Sequence, residues 1–241
     1  MNSVNWIGRV FVILFGLALS ACSTYERIGR DSSVLSNLPV SLTVQVNDPD
    51  WEVDLSFSGE LRDFDWGDGS PTDALVSNQT SYRHLYSSAG TYTISFKDNG
   101  CTSLSVYGLG VGAEYLFTGV SGLANLNSLL TLSMNANSLG TFNTSDLPAS
   151  LTKLELPDNG LTAFDATVLP ENITSIDLRF NTSLPSTVAT QLFAELVSSG
   201  KSNGTLSLPS FTFASGSQTC IDRATLRNDR SWRTSGVSGC L

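Results

Sequence analysis

The chain has one histidine, four cysteines and two methionines, and only 15% of its 241 residues are charged. A single imidazole, His84, rules out a histidine-pair metal site. It also leaves any nucleophile without an obvious base. Cations are the scarcer sign, with 13 Lys and Arg against 22 Asp and Glu and a formal net charge of −9. Such a balance repels phosphate and so excludes nucleic acid as a partner, and anionic headgroups with it. Long apolar runs are missing too, apart from one at the start. Residues 1–21 hold one cation, Arg9, no carboxylate, and the stretch Val10 to Leu19. That stretch is too short to span a bilayer stably and has the layout of a secretory signal.

The signal-like run ends in Leu19-Ser20-Ala21-Cys22, which resembles the bacterial lipobox. The resemblance implies that the Cys22 thiol receives a diacylglycerol, that the chain is cut before it, and that the new amine is acylated. Two or three acyl chains exceed the threshold for stable anchoring. A plainly cleaved signal or an uncleaved anchor are the other readings of the same run. Ser23, rather than Asp, follows the cysteine, and by the same resemblance the destination is the outer membrane. Loss of Arg9 would leave 12 cations against 22 acids, a net of −10. Residues 22–40 show neither helical nor strand periodicity and read as a tether.

From residue 41 apolar residues alternate with polar ones. Leu42, Val44 and Val46 form one such set, and Trp51, Val53, Leu55 and Phe57 another. Both predict half-buried strands. Then come Phe64-Asp65-Trp66-Gly67-Asp68-Gly69, His84-Leu85-Tyr86 and Gly90-Thr91-Tyr92-Thr93-Ile94. This order resembles the PKD domain, with Trp66 where Phe is usual, and implies an immunoglobulin-like β-sandwich over residues 41–98. Gly67 and Gly69 suit a tight hairpin, and Asp68 can accept turn amides.

A second pattern follows. Leu129, Leu132, Met134, Asn137 and Leu139 are answered 22 residues later by Leu151, Leu154, Leu156, Asn159 and Leu161. Ile173, Ile176, Leu178, Asn181 and, one place late, Leu184 complete the series. The frame resembles a leucine-rich repeat, which implies a short solenoid over residues 99–214. One rung cannot bury its own apolar residues, so rungs must stack. Each Asn is expected to turn inward and bond backbone groups left unpaired at the turn. Cys101 to Val111 reads as a degenerate first rung, with Leu109 in the Asn position and Cys101 a buried free thiol. Val188, Leu192, Phe193, Leu196 and Val197 share a helical face, with Ser186 or Thr187 as N-cap and Gly200 as the stop. Leu206, Leu208, Phe211 and Phe213 begin another rung. Residues 215–241 read as a C-terminal cap stapled by a Cys220–Cys240 disulfide, as befits an exported chain. The expected class is thus mainly β with some α: an immunoglobulin-like, PKD-like β-sandwich joined to a leucine-rich-repeat solenoid.

Local motifs do not make an enzyme. Gly200-Lys201-Ser202-Asn203-Gly204 matches the hydrolase elbow, but here the helix precedes and the strand follows, and the only His lies upstream. Asp63, Asp65 and Asp68 fail the EF-hand spacing because Gly67 takes the third acidic place. No catalytic residue, metal or cofactor is therefore expected. The expected work is binding, through residues that flank each L-x-L and point outward. Tyr107, Asn135, Lys153, Glu155, Asp177 and Arg179 are the candidate contacts with a protein or glycan ligand. Glu155 and Asp177 should lie abreast, where like charges destabilise. Lys153 and Arg179 either merely neutralise them or complete a recognition patch. The alternative to a binding lipoprotein is a structural scaffold of an envelope assembly, favoured if Tyr107 and Phe180 form one apolar patch.

Overall fold

The computed structural model describes residues 38–108, 110 and 112–240. The signal-like run, Cys22, most of the tether and Leu109 lie outside them. The described chain is mainly β, with two helices.

Four antiparallel strands come first: β1 (Val40–Val46), β2 (Glu52–Asp65), β3 (Asp73–Leu85) and β4 (Gly90–Asp98). Alternation sorts their side chains as expected. Val40, Leu42, Val44 and Val46 of β1 are buried, and so are Val53, Leu55 and Phe57 of β2. Trp51 departs from the pattern. It sits ahead of β2 and is 50% exposed, so its place in the period-two series was fortuitous. An aromatic cluster fills one end of this half. Phe64 stacks on Phe96 at 5.5 Å, Trp66 on His84 at 4.8 Å, and Tyr86 on Tyr92 at 4.1 Å. The buried Tyr86 hydroxyl donates to the Trp66 carbonyl at 2.8 Å. Gly67 has φ +80°, and a Cβ there would strike the Thr93 carbonyl, so only glycine fits.

β5 (Ser103–Tyr107) joins the two halves, pairing antiparallel with β2 and parallel with β7 (Thr131–Asn135). Between them β6 (Tyr115–Ser121) doubles back and pairs antiparallel with β1. A run of parallel neighbours follows: β7, β9 (Lys153–Glu155), β11 (Ser175–Asp177), β12 (Thr205–Thr212) and β13 (Arg233–Ser238). The sheet has eleven strands in the order β13-β12-β11-β9-β7-β5-β2-β4-β1-β6, with β3 on the side of β2. On the far side, β8 (Thr141–Asn143) and β10 (Ala163–Asp165) form a small parallel pair, with Phe142 and Phe164 stacked.

The ladder is in register. Leu132, Leu154, Ile176 and Leu206 are paired in line and are 0–1% exposed. Full burial of each is worth about 1.5–3 kcal/mol. The rung asparagines are 0–1% exposed as well. Asn181 Nδ2 donates to the carbonyls of Leu156 at 2.8 Å and Leu178 at 2.9 Å. Its Oδ1 accepts from the amides of Asn159 at 2.8 Å and Leu161 at 3.1 Å. Asn159 and Asn137 donate to Met134 and Val106 in the same way. Outside, Thr152 and Thr174 repeat a hydroxyl bond to the preceding rung, 22 residues back.

Two helices back the C-terminal end: α1 (Thr187–Ser198) and α2 (Gln218–Asp229). Val188, Leu192, Phe193 and Leu196 of α1 face the core, and Gly200 ends the helix at φ +69°. Cys220 and Cys240 are disulfide-bonded, and Cys101 is a buried free thiol. The tail does more than cap, because β13 extends the parallel ladder by one strand. No helix among the described residues is long and apolar enough to cross a membrane.

Candidate functional site

The outward residues of the parallel strands form rows across the sheet. One row, in strand register, is Ser56, Ser105, Ser133, Glu155, Asp177, Ser207 and Ser235. A line of hydroxyls is thus interrupted by two carboxylates abreast. The adjacent row holds Ser103, Thr131, Lys153, Ser175, Thr205 and Arg233.

Each carboxylate is paired with a cation two residues away in sequence. Lys153 Nζ lies 2.8 Å from Glu155 Oε1, and both side chains are partly open to solvent. Arg179 binds Asp177 more completely. Its Nη2 donates to Oδ2 at 2.7 Å, its Nε to Oδ1 at 3.0 Å, and its backbone amide to Oδ1 at 3.0 Å. Asp177 is 9% exposed and Ser133 7%, so these two lie lower in the sheet than simple alternation suggests. The clamp from Arg179 makes this burial tolerable, since a buried carboxylate needs charge and hydrogen bonds together. The like-charge penalty between Glu155 and Asp177 is offset strand by strand.

The sequence-derived candidates therefore fall into two groups. Lys153, Glu155, Asp177 and Arg179 are brought together on β9 and the end of β11. Tyr107 and its register partner Asn135 lie on β5 and β7. Tyr107 is 57% and Phe180 65% exposed, but two strands, β7 and β9, separate their rungs. They do not form one apolar patch.

Phe180 stands beside the ion pairs. The Arg179 guanidinium carbon is 5.8 Å from its ring centre. Next to it a cleft of about 510 Å³ is lined by Arg179, Phe180, Thr182, Pro209, Ser210 and Phe211, among others. The cleft lies beside Pro209 of β12, where the β12–β13 register shifts between Ser207 and Phe211. Ser235 and Gly236 of β13 complete its wall, and nothing in the polar tail sequence signalled them.

A second cleft, about 560 Å³, lies in the antiparallel half beside Trp51, Glu52, Asp54 and Arg83. Its cation is already spoken for: Arg83 pairs with Asp54 at 3.1 Å and with Glu52 at 3.5 Å. The three acids near the tight turn also have separate partners. Asp63 meets Lys97 at 2.9 Å, Asp65 accepts the Gly67 amide, and Asp68 accepts the Ser70 amide and meets His84 Nε2 at 2.7 Å. Burial raises the Asp68 carboxyl, but hydrogen bonds from Ser70 and His84 outweigh it and hold it at about 2. Burial, with Asp98 nearby, pushes the Cys101 thiol up to about 12, so it is inert at neutral pH. Ser202, the serine of the elbow-like motif, lies in the exposed turn between α1 and β12. Among the described residues no cluster of His, Cys, Asp or Glu is placed to hold a metal ion.

Comparison of the chain with protein-family models, curated proteins and solved structures finds no match.

Proposed function

We propose that this chain is a non-catalytic recognition lipoprotein of the bacterial outer membrane, anchored through Cys22, which binds a protein or glycan ligand. In this reading the antiparallel half is a PKD-like, immunoglobulin-like sandwich and the parallel ladder a leucine-rich-repeat solenoid. The 22-residue frame with its buried asparagines supports the second assignment, and the Trp66-Gly67-Asp68-Gly69 turn supports the first. The observation that carries the binding role is the outward row. Two fixed ion pairs sit abreast in a line of hydroxyls, with an exposed aromatic and a cleft beside them. Fixed, pre-paired polar groups next to apolar surface are the usual makings of a ligand site. The separation of Tyr107 from Phe180 favours this over a scaffold that docks on one broad apolar patch.

The double variant Glu155→Ala, Asp177→Ala tests the face. Binding of the full chain to isolated cell-surface material should fall while the circular dichroism of the fold persists. Unchanged binding by a folded variant rejects this face as the site. The anchor has its own test, since intact mass of the detergent-extracted protein must show a mature chain starting at an acylated Cys22.

A further inference from the structure

We propose that Phe180 is the stacking platform of a subsite for one neutral pyranose ring, seated in the cleft between Phe180 and the Pro209 bulge. This rests on the sheet-face reading above and names its ligand class.

Backbone strain singles Phe180 out. The residue before each rung asparagine is left-handed: Ala136 at φ +54°, Asp158 at +55° and Phe180 at +67°. The turn that aims the asparagine inward imposes this conformation. Ala and Asp are small or locally hydrogen-bonding residues, and Asp is enriched in that region. A phenylalanine there is an outlier. The fold gets little back for it, because the ring is 65% exposed, more than any other large apolar side chain among the described residues. Strain and exposure therefore coincide at one residue, which is the mark of a position kept for function.

The surroundings define what the ring would meet. Asp177 clamps Arg179 through Nε and Nη2, and the guanidinium in turn lies over the Phe180 ring at 5.8 Å. The platform is thus held on one side and left mostly bare. Charge is closed locally, because Lys153 pairs with Glu155 and Arg179 with Asp177. With both ion pairs closed, no unpaired charge beside the cleft selects an ionic ligand, and the net charge of −9 further disfavours an anionic one. The uncharged polar groups around the cleft are the hydroxyls of Thr182, Ser210 and Ser235, set among Leu208, Pro209 and Phe211. The matching ligand is uncharged, rich in hydroxyls and apolar on one face. A neutral pyranose meets all three conditions, and its C–H face complements the negative face of an aromatic ring.

The test uses the full chain in detergent against two immobilised probes: a panel of neutral gluco-, galacto-, manno- and N-acetylglucosamine oligosaccharides, and an arginine-rich peptide. The original chain should bind at least one oligosaccharide series. Phe180→Tyr should retain that binding. Phe180→Asn should weaken it by about tenfold or more, yet raise the Tm by about 2–4 °C through relief of the left-handed strain. A ring that merely supported the fold would lower the Tm when removed, and that result overturns the proposal. So does oligosaccharide binding unchanged by Phe180→Asn, binding of the peptide alone, or binding of neither probe. The double variant Glu155→Ala, Asp177→Ala separates the two readings. If it abolishes binding that Phe180→Asn leaves intact, the sheet face stands and the subsite falls; if neither changes binding, both fall.

Discussion

The two halves of the sheet solve the same problem by different means. In the antiparallel half, strands β1 to β4 pair along most of their length, and backbone groups satisfy one another. Side chains are then free to build an aromatic cluster, and polar side chains such as Asp65, Asp68 and Asp98 serve mainly at its turns and at the end of β4. In the parallel half, β9 and β11 are only three residues long. The chain must turn at once after each, which strands amides and carbonyls in the interior. Buried asparagines take up those groups. One half is therefore held by side-chain packing on a self-sufficient backbone. The other depends on a polar side chain at one position per rung.

This difference can be broken most sharply at Asn181. Asn181→Ala leaves the Asn159 and Leu161 amides and the Leu156 and Leu178 carbonyls without that partner. A loss of about 3–5 kcal/mol is expected in urea denaturation, because buried unsatisfied groups cost about 1–3 kcal/mol each and are not fully additive. Tyr86→Phe, which removes one buried hydroxyl bond from the antiparallel half, should cost only about 1 kcal/mol. Equal losses from the two changes would remove the distinction.

Next in size is the staple at the open end of the ladder. Cys220→Ser with Cys240→Ser opens a 20-residue separation, worth about 3 kcal/mol in the chain-entropy model. If the parallel half is the solenoid proposed above, whose repeats contact only their neighbours, the loss should stay local. Amide exchange should accelerate in β13 and α2 first, with β1 to β4 protected as before. Uniform acceleration across the sheet would show instead that both halves unfold as one unit.

The smallest effect separates the halves by pH. Asp68 belongs to the tight turn of the antiparallel half and has its carboxyl held at about 2 in the folded chain. A depressed carboxyl contributes stability above its unfolded value, about 3.9, and loses it as pH falls through the folded value. The original chain should therefore lose more stability between pH 4 and about 2 than Asp68→Asn does. Parallel stability curves for the two proteins over that window would reject the linkage.

Much of this contrast was legible in the sequence, because both halves carry a period. Alternation marked β1 and β2, and the 22-residue frame marked Asn137, Asn159 and Asn181 before their bonds were seen. The abreast placement of Glu155 and Asp177 followed from the same frame. Three features left no local trace. β6 pairs with β1 across a long separation, and nothing in Tyr115–Ser121 names its partner. β13 has no fully buried residue, so its sequence lacks any apolar signature. The depth of Asp177 arises from the clamp by Arg179, which is a matter of rotamers and not of spacing. The strain at Phe180 was hidden for a related reason: position before the asparagine was readable, but φ was not.

The placement of β1 has a mechanical consequence. β1 is the first strand of the described chain, so tension drawn along it acts from Val40. That strand is flanked on both edges, by β4 over seven register pairs from Val40↔Phe96 to Val46↔Gly90 and by β6 from Ser41↔Ser121 to Val46↔Tyr115. Tension along the strand axis must slide β1 past both neighbours, breaking the hydrogen bonds of two ladders together instead of peeling them one at a time. Shear applied along β1 is thereby resisted by two ladders at once.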